Sequence, residues 1–196
     1  MGKICWSDKS HFEILGDKCQ VVYRRLWEKY DEDCVIGRVK HPTKIMISSV
    51  ICSRGMGPVY IVDGMMKQDQ YRDVLKNELL PQAQHWYPKK DFIFMHDGAP
   101  CHMAKSVKEF LWQKRKDVLD WPENSPDLNP IENLWEIAKR RVCSGETITR
   151  KQQLIEKLIE VWQKDPETKA KAQPCIESIP RRIDAVIKDK GGVTRY

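Results

Sequence analysis

The stretch Ser125 to Trp135, SPDLNPIENLW, constrains this 196-residue chain more than any other, because it sets where one helix begins and which face of it is buried. Asn129 suits the N-cap, Pro130 falls at the first helical position where a missing N–H costs nothing, and Glu132 falls at the third. Ile131, Leu134, Trp135, Ala138 and Val142 then recur at helical spacing and form an apolar stripe. Glu132 lies just off that stripe, with Glu136, Lys139 and Arg140 further round the polar side. Two readings of Glu132 follow. Asn129-x-x-Glu132 is a capping-box pattern, in which the Glu side chain accepts the backbone N–H of Asn129. Alternatively, the carboxylate projects into a cleft beside the core and meets other carboxylates there.

Two other acids are candidates for that meeting. The run Asp91-Phe-Ile-Phe-Met-His-Asp97 is nearly continuous in apolar residues and is followed by Gly98, Ala99 and Pro100, which predicts a buried strand stopping at Asp97. Lys3-Ile-Cys-Trp-Ser-Asp8 has the same form and predicts a first strand, about 3 to 8, ending in Asp8. In open α/β sheets, side chains at strand ends point into a crevice where ligands and metals gather. Either Asp alone is more often a turn residue or a cap.

Periodicity predicts the remaining order. A hairpin with Gly16-Asp17 at its turn leads into Val21-Val22-Tyr23, and a charged stretch runs from Glu28 to Lys40. Strands at about 44 to 52 and 58 to 63 flank a Ser53–Gly57 hairpin. Asp69 caps a helix carrying Tyr71, Val74, Leu75 and Leu79. A helix from about 102 to 115, a strand over Asp117–Trp121, the Glu132 helix, and helices at about 151 to 164 and 180 to 190 complete the chain, the last stopped by Gly191-Gly192. Trp6, Trp112 and Trp135 read as core. This order fits an α/β fold with a mixed sheet covered by helices on both faces.

The three acidic blocks resemble those of the Tc/mariner superfamily of DNA transposases. Trp6-Ser7-Asp8-Lys9-Ser10-His11-Phe12 resembles a block usually reading W-[ST]-D-E-S-x-F, and His96-Asp97-Gly98-Ala99-Pro100-Cys101-His102 one commonly like Q-D-G-A-P-x-H. SPDLNPIENLW resembles the last block, and residues 98 to 131, 34 in all, give the acid spacing of the Tc branch. Asp120-Trp121-Pro122 and the ending from Ile179-Pro180-Arg181-Arg182 to Thr194-Arg195-Tyr196 look like the family too. The departures are Lys9 for the usual Glu and His96 for a frequent Gln.

The resemblance implies an RNase H-like fold, as in the transposase and integrase catalytic core, in a single DDE catalytic domain spanning 1–196 with C-terminal helices from about 151–190. It implies that Asp8, Asp97 and Glu132 are both the catalytic residues and the metal ligands, and that His102 helps place DNA or a phosphate near the metals. Three carboxylates drawn together repel one another unless divalent cations neutralise them, and oxygen-only ligation favours Mg²⁺ or Mn²⁺, two ions being expected. The chemistry implied is phosphodiester cleavage followed by strand transfer, with transposon ends and a target duplex as partners, no small-molecule substrate, a homodimer joining two ends, and a nuclear location. Family members carry helix-turn-helix modules upstream of the first acid, so this chain reads as a catalytic domain without its sequence-reading half.

Charge and composition bear on the alternatives. The net charge of +6 is concentrated in the latter half, in Lys114-Arg115-Lys116, Lys139-Arg140-Arg141, Arg150-Lys151 and Arg181-Arg182. Each cluster alone reads as a solvated helix face; together they suit phosphates, and Lys139, Arg140 and Arg141 flank the acidic helix start. No apolar run approaches the ~20 residues of a membrane span. Seven scattered cysteines, never in C-x-x-C spacing, read as thiols of a reducing compartment, and Cys101-His102 has no matching set for a zinc site. Three functions compete: a transposase catalytic domain, a DNA-binding or interaction remnant in which catalysis has lapsed, and a generic RNase H-like nuclease acting on another nucleic acid.

Overall fold

Strand side chains alternate between two faces, and in this protein that alternation divides the interior into two cores. The computed structural model describes residues 2–14, 25, 27, 43–122, 125–144, 147–192 and 194. Its strands are β1 (Ile4–Glu13), β2 (Lys44–Cys52), β3 (Gly55–Met56), β4 (Tyr60–Val62), β5 (Ile93–Met95) and β6 (Asp117–Val118). They form one mixed sheet in the order β3-β2-β1-β5-β6, with β4 also on β2; β1 runs antiparallel to β2 and parallel to β5. The helices are α1 (Gln68–Val74), α2 (Leu80–Trp86), α3 (Pro100–Met103), α4 (Lys105–Gln113), α5 (Pro130–Cys143), α6 (Lys151–Gln163), α7 (Pro166–Glu177) and α8 (Ile179–Lys188). A π-helical segment, Leu75–Leu79, joins α1 to α2.

Trp6, Phe12, Ile45, Ile47, Ile51 and Met95 face one way and pack beneath α5, α6 and α7. Cys5, Val50, Cys52 and Phe94 face the other way, under α1, α2 and α4. Trp135 anchors the first core, stacked on Trp162 at 4.1 Å between ring centroids and meeting Phe12 edge-on at 6.3 Å. Trp162 in turn donates its Nε1–H to the carbonyl of Gly57. A Cβ on Gly57 would fall 2.8 Å from Val50 Cγ1, so this close approach requires glycine.

The expected helices on both sheet faces are present, with local differences. β1 does not stop at Asp8. Ser10 and Phe12 are buried against the antiparallel neighbour β2, so the strand continues to Glu13. The strand placed at 58–63 shortens to β4, and that at 117–121 to β6, with Trp121 leaving the sheet to meet Trp6 edge-on at 5.4 Å. The helix placed at 102–115 breaks at Ala104, whose backbone is extended, giving α3 and α4. Lys67, not Asp69, is the N-cap of α1. Trp112 is 80% exposed, against its expected place in the core. The Gly16-Asp17 hairpin, the Val21–Tyr23 run and the Glu28–Lys40 stretch lie outside the described residues. Helix α7 has no counterpart in the expected order; its Pro174 and polar surface mask the helical pattern, although Asp165-Pro166 is an N-cap followed by proline at N1.

The C-terminal segment folds back on the turn that precedes α5. Arg182, 3% exposed, donates to the carbonyl of Asp127 at 2.7 Å and to Ser178 Oγ at 2.7 Å. The Asp127 carboxylate accepts from both the backbone N–H and the hydroxyl of Thr194. Among the described residues no helix is long and apolar enough to cross a membrane.

Asp165 links α5 to α7. It caps α7 by accepting the Thr168 N–H at 2.9 Å, and it pairs with Arg141 at 2.9 Å. The Arg141 and Thr168 hydrogen bonds hold its carboxyl down at about 2. A depressed carboxyl contributes stability above its unfolded value of about 3.9 and loses it as pH falls towards the folded value. Asp165→Ala should therefore lower unfolding free energy by about 1 kcal/mol at pH 7. In urea melts the gap between variant and parent should close between roughly pH 4 and pH 2.

Candidate active site

Asp8 owes its position to the unequal lengths of two neighbouring strands. The parallel pairing of β1 with β5 ends at Trp6 opposite Met95, while β1 continues, so Asp8 stands beyond the end of β5 on the same face as Trp6. This side chain, 6% exposed, faces α5, and its Oδ2 accepts the Nε1–H of Trp135 at 3.1 Å. Burial, and next the nearby charge of Glu132, push the Asp8 carboxyl up to about 7. The expectation of a strand-terminal Asp8 is thus corrected to a mid-strand residue that still opens on the crevice.

Glu132 sits in the first turn of α5, where the helix N-terminus favours negative charge. Burial also raises its carboxyl, which lies within hydrogen-bonding reach of Asp8. The capping box does not form. Asn129 is the N-cap residue, as the sequence suggests, but its side chain makes no cap hydrogen bond, and its backbone N–H goes to the Pro126 carbonyl at 3.0 Å. Glu132 is left to face Asp8, and two desolvated carboxyls in contact are favourable only with a shared proton or an added cation.

Asp97 lies two residues past the end of β5 and is compensated differently. Its Oδ1 accepts the Ala99 N–H at 3.1 Å and lies 2.5 Å from His102 Nδ1, while Lys9 Nζ stands 3.5 Å from Oδ2. Burial opposes ionisation of Asp97, but the close contact with the His102 imidazole, with the charges of His102 and Lys9, outweighs it and holds the carboxyl well below the usual range. His102 is raised in turn, the bond to Asp97 overcoming the cost of burial. The imidazole is 2% exposed and packs on Tyr71 at 3.9 Å and on His96 at 5.3 Å between ring centroids. Burial and the neighbouring His102 lower His96 to about 4, and its Nδ1 is 3.0 Å from the Tyr71 hydroxyl. His102 therefore touches Asp97 from beneath, with little surface to offer a ligand.

All three acids line one cleft of about 440 Å³, walled by Pro100, Pro122, Pro126 and Asn129. Buried Asn129 Oδ1 has no hydrogen-bond partner among the described residues. Among those residues no three His, Cys, Asp or Glu side chains stand close enough together to hold one metal ion as placed. The donor chemistry nonetheless fits a hard divalent cation, since Asp8 and Glu132 are desolvated carboxyls in mutual contact. The basic residues of α5 part company: Lys139 lies 3.7 Å from Glu136, Arg140 is exposed, and Arg141 is held by Asp165 and by Glu167 at 3.3 Å.

Sequence reasoning missed Trp135 as the partner of Asp8, Lys9 as that of Asp97, and the Tyr71–His96–His102 stack. Only Trp135 carried a signal. A Trp in a buried stripe needs an acceptor for its N–H.

Known proteins resemble this chain in sequence and in fold. The model of the DDE superfamily endonuclease family matches residues 3–155. The chain is 34% identical over 193 residues to the transposable element Tcb2 transposase of Caenorhabditis briggsae, covering 97% of this chain and 69% of that protein. Against the Tc1 transposase of Caenorhabditis elegans the identity is 32%, covering 99% and 70%. The crystal structure of the Mos1 mariner paired-end complex with Mn superposes with a TM-score of 0.80 at 20% identity, covering 99% of this chain and 57% of that one. For the Mos1 catalytic domain alone the TM-score is 0.73 at 17% identity, with coverage of 99% and 85%. This chain thus spans little over half of the Mos1 chain in the paired-end complex, and at these identities the structural likeness establishes the RNase H-like fold. The chain belongs to the DDE superfamily endonuclease family, as the catalytic domain of a Tc1/mariner transposase.

Proposed function

We propose that this chain performs metal-dependent DNA phosphodiester cleavage and strand transfer at the cleft of Asp8, Asp97 and Glu132. The observation that carries this reading is the contact between Asp8 and Glu132, residues from distant parts of the chain whose carboxyls are both raised by burial. Such a pair does not serve stability by itself, since desolvated like charges oppose folding. Asp8, Asp97 and Glu132 would hold two ions of Mg²⁺ or Mn²⁺, a choice supported by Mos1 structures solved with Mn and with Mg. The chemistry supplied by such ions is activation of a water or a DNA 3′-hydroxyl and neutralisation of the departing oxygen in an in-line displacement at phosphorus.

The protein's own groups set the stage for that reaction. Trp135 Nε1–H fixes one oxygen of Asp8 at the cleft wall, and His102, braced by Tyr71 and His96, orients Asp97. His102 thereby acts on DNA indirectly, through Asp97. Exposed Arg140 and half-exposed Lys139 extend from the active helix as candidates to meet the phosphates of transposon ends and target duplex, while Arg141 is committed to Asp165. Joining two ends calls for a homodimer, and a DNA substrate implies action in the nucleus. A second reading, DNA binding without catalysis, is favoured by the placement of Lys9 against Asp97.

Nicking and strand transfer on short duplexes during a Mn²⁺ titration separate the readings. Asp97→Asn should lower the metal-dependent rate by about 10³-fold or more with the thermal transition unchanged, a loss of several kcal/mol of charge stabilisation. Duplex binding indifferent to both metal and Asp97→Asn, without cleavage, would establish the non-catalytic reading; preference for an RNA–DNA hybrid would point to a generic nuclease. A further variant tests the metal site through stability. Asp8→Asn keeps an acceptor for Trp135 but removes the desolvated charge, so at pH 8 without metal it should raise unfolding free energy by roughly 1 kcal/mol or more. It should also abolish the rise in melting temperature that Mg²⁺ or Mn²⁺ gives the parent protein.

A further inference from the structure

The charges around the cleft are unevenly balanced. Asp8 and Glu132 crowd each other, and neither forms an ion pair among the described residues, whereas Asp97 meets a nitrogen at each oxygen. One of these nitrogens belongs to Lys9, which immediately follows Asp8. Strand alternation therefore sends Lys9 to the opposite sheet face, from which its chain reaches round to Asp97. Its Nζ is 3.5 Å from Asp97 Oδ2, is closed off from solvent, and makes no hydrogen bond. An ammonium has three donors to satisfy, so this placement leaves it held by charge attraction to Asp97.

We infer that Lys9 is a built-in counter-cation of Asp97, competing with divalent metal for this carboxylate and so setting the metal concentration at which the centre fills. The inference rests on the proposal that the three acids hold the metal. A cation already opposite Asp97 lowers the gain from placing another there, and it repels an arriving ion at the same range. Removal of its charge should strengthen metal binding at that carboxylate, and replacement by another cation should not.

Isothermal titration of Mn²⁺ into the metal-free chain tests this directly. Lys9→Met, which keeps the apolar stem, should bind Mn²⁺ about three- to tenfold more tightly than the parent, the range expected for loss of one partly screened charge. Lys9→Gln, run alongside as a second neutral variant, should do the same, while Lys9→Arg should stay within about twofold of the parent. Thermal denaturation of each variant checks the fold. Tighter binding by the neutral variants, or Mn²⁺ binding by them where the parent shows none, supports the inference. If the neutral variants bind no more tightly than the parent while Asp97→Asn loses binding, the metal site stands and the role of Lys9 falls. If neither parent nor variants bind Mn²⁺, both fall.

Discussion

The hydrogen bond from Trp135 to Asp8 is the contact on which the rest of the cleft depends. It spans 127 positions of sequence and joins the central strand β1 to the helix α5 that carries Glu132. Because Trp135 is also stacked on Trp162 and set against Phe12, the aromatic core fixes the depth and rotation of α5 on the sheet. Glu132 lies one turn before Trp135 on that rigid helix, so its approach to Asp8 follows from packing. A buried carboxyl that would otherwise be expelled towards water is held in place by the Trp135 N–H and a wall of rings.

The sheet separates two electrostatic environments. On the α5 face, Asp8 and Glu132 are short of positive charge and are driven towards protonation. On the opposite face, Lys9 and His102 gather beneath Asp97 and keep it ionised. The boundary between the two runs along β1, where consecutive residues Asp8 and Lys9 point to opposite sides. Asp97 can meet both because β5 stops at Met95 and the chain there is free to turn across the end of the sheet. The cleft is thus a junction of one carboxyl pair lacking a cation and a third carboxylate already supplied with them.

The C-terminal helices support this arrangement at some distance from it. α6 and α7 cover the face of the sheet on which α5 lies, and the Arg141–Asp165 pair ties α5 to the cap of α7. Arg182 and Thr194 take hold of Asp127, in the turn that leads into α5 and borders the cleft. Both attachments come after residue 155, where the match to the endonuclease family model ends.

Much of this was legible in the sequence, for reasons that are local. The β2 boundaries follow from an apolar run with alternating faces, and the buried stripe Ile131, Leu134, Trp135, Ala138 and Val142 follows from helical spacing. The start of α5 was legible too, since Asn129-Pro130 encodes an N-cap and N1. The extent of β1, the burial of His102 and the exposure of Trp112 were not, because each depends on what a distant segment covers. The choice between capping and clefting for Glu132 shows the division most plainly. By itself the sequence determined that an acid would stand in the first turn of an amphipathic helix, because capping and periodicity act within a few residues. Only the tertiary structure decided that it would meet Asp8 instead of capping Asn129, because burial and Coulomb interactions depend on distance in space, which chain order does not record.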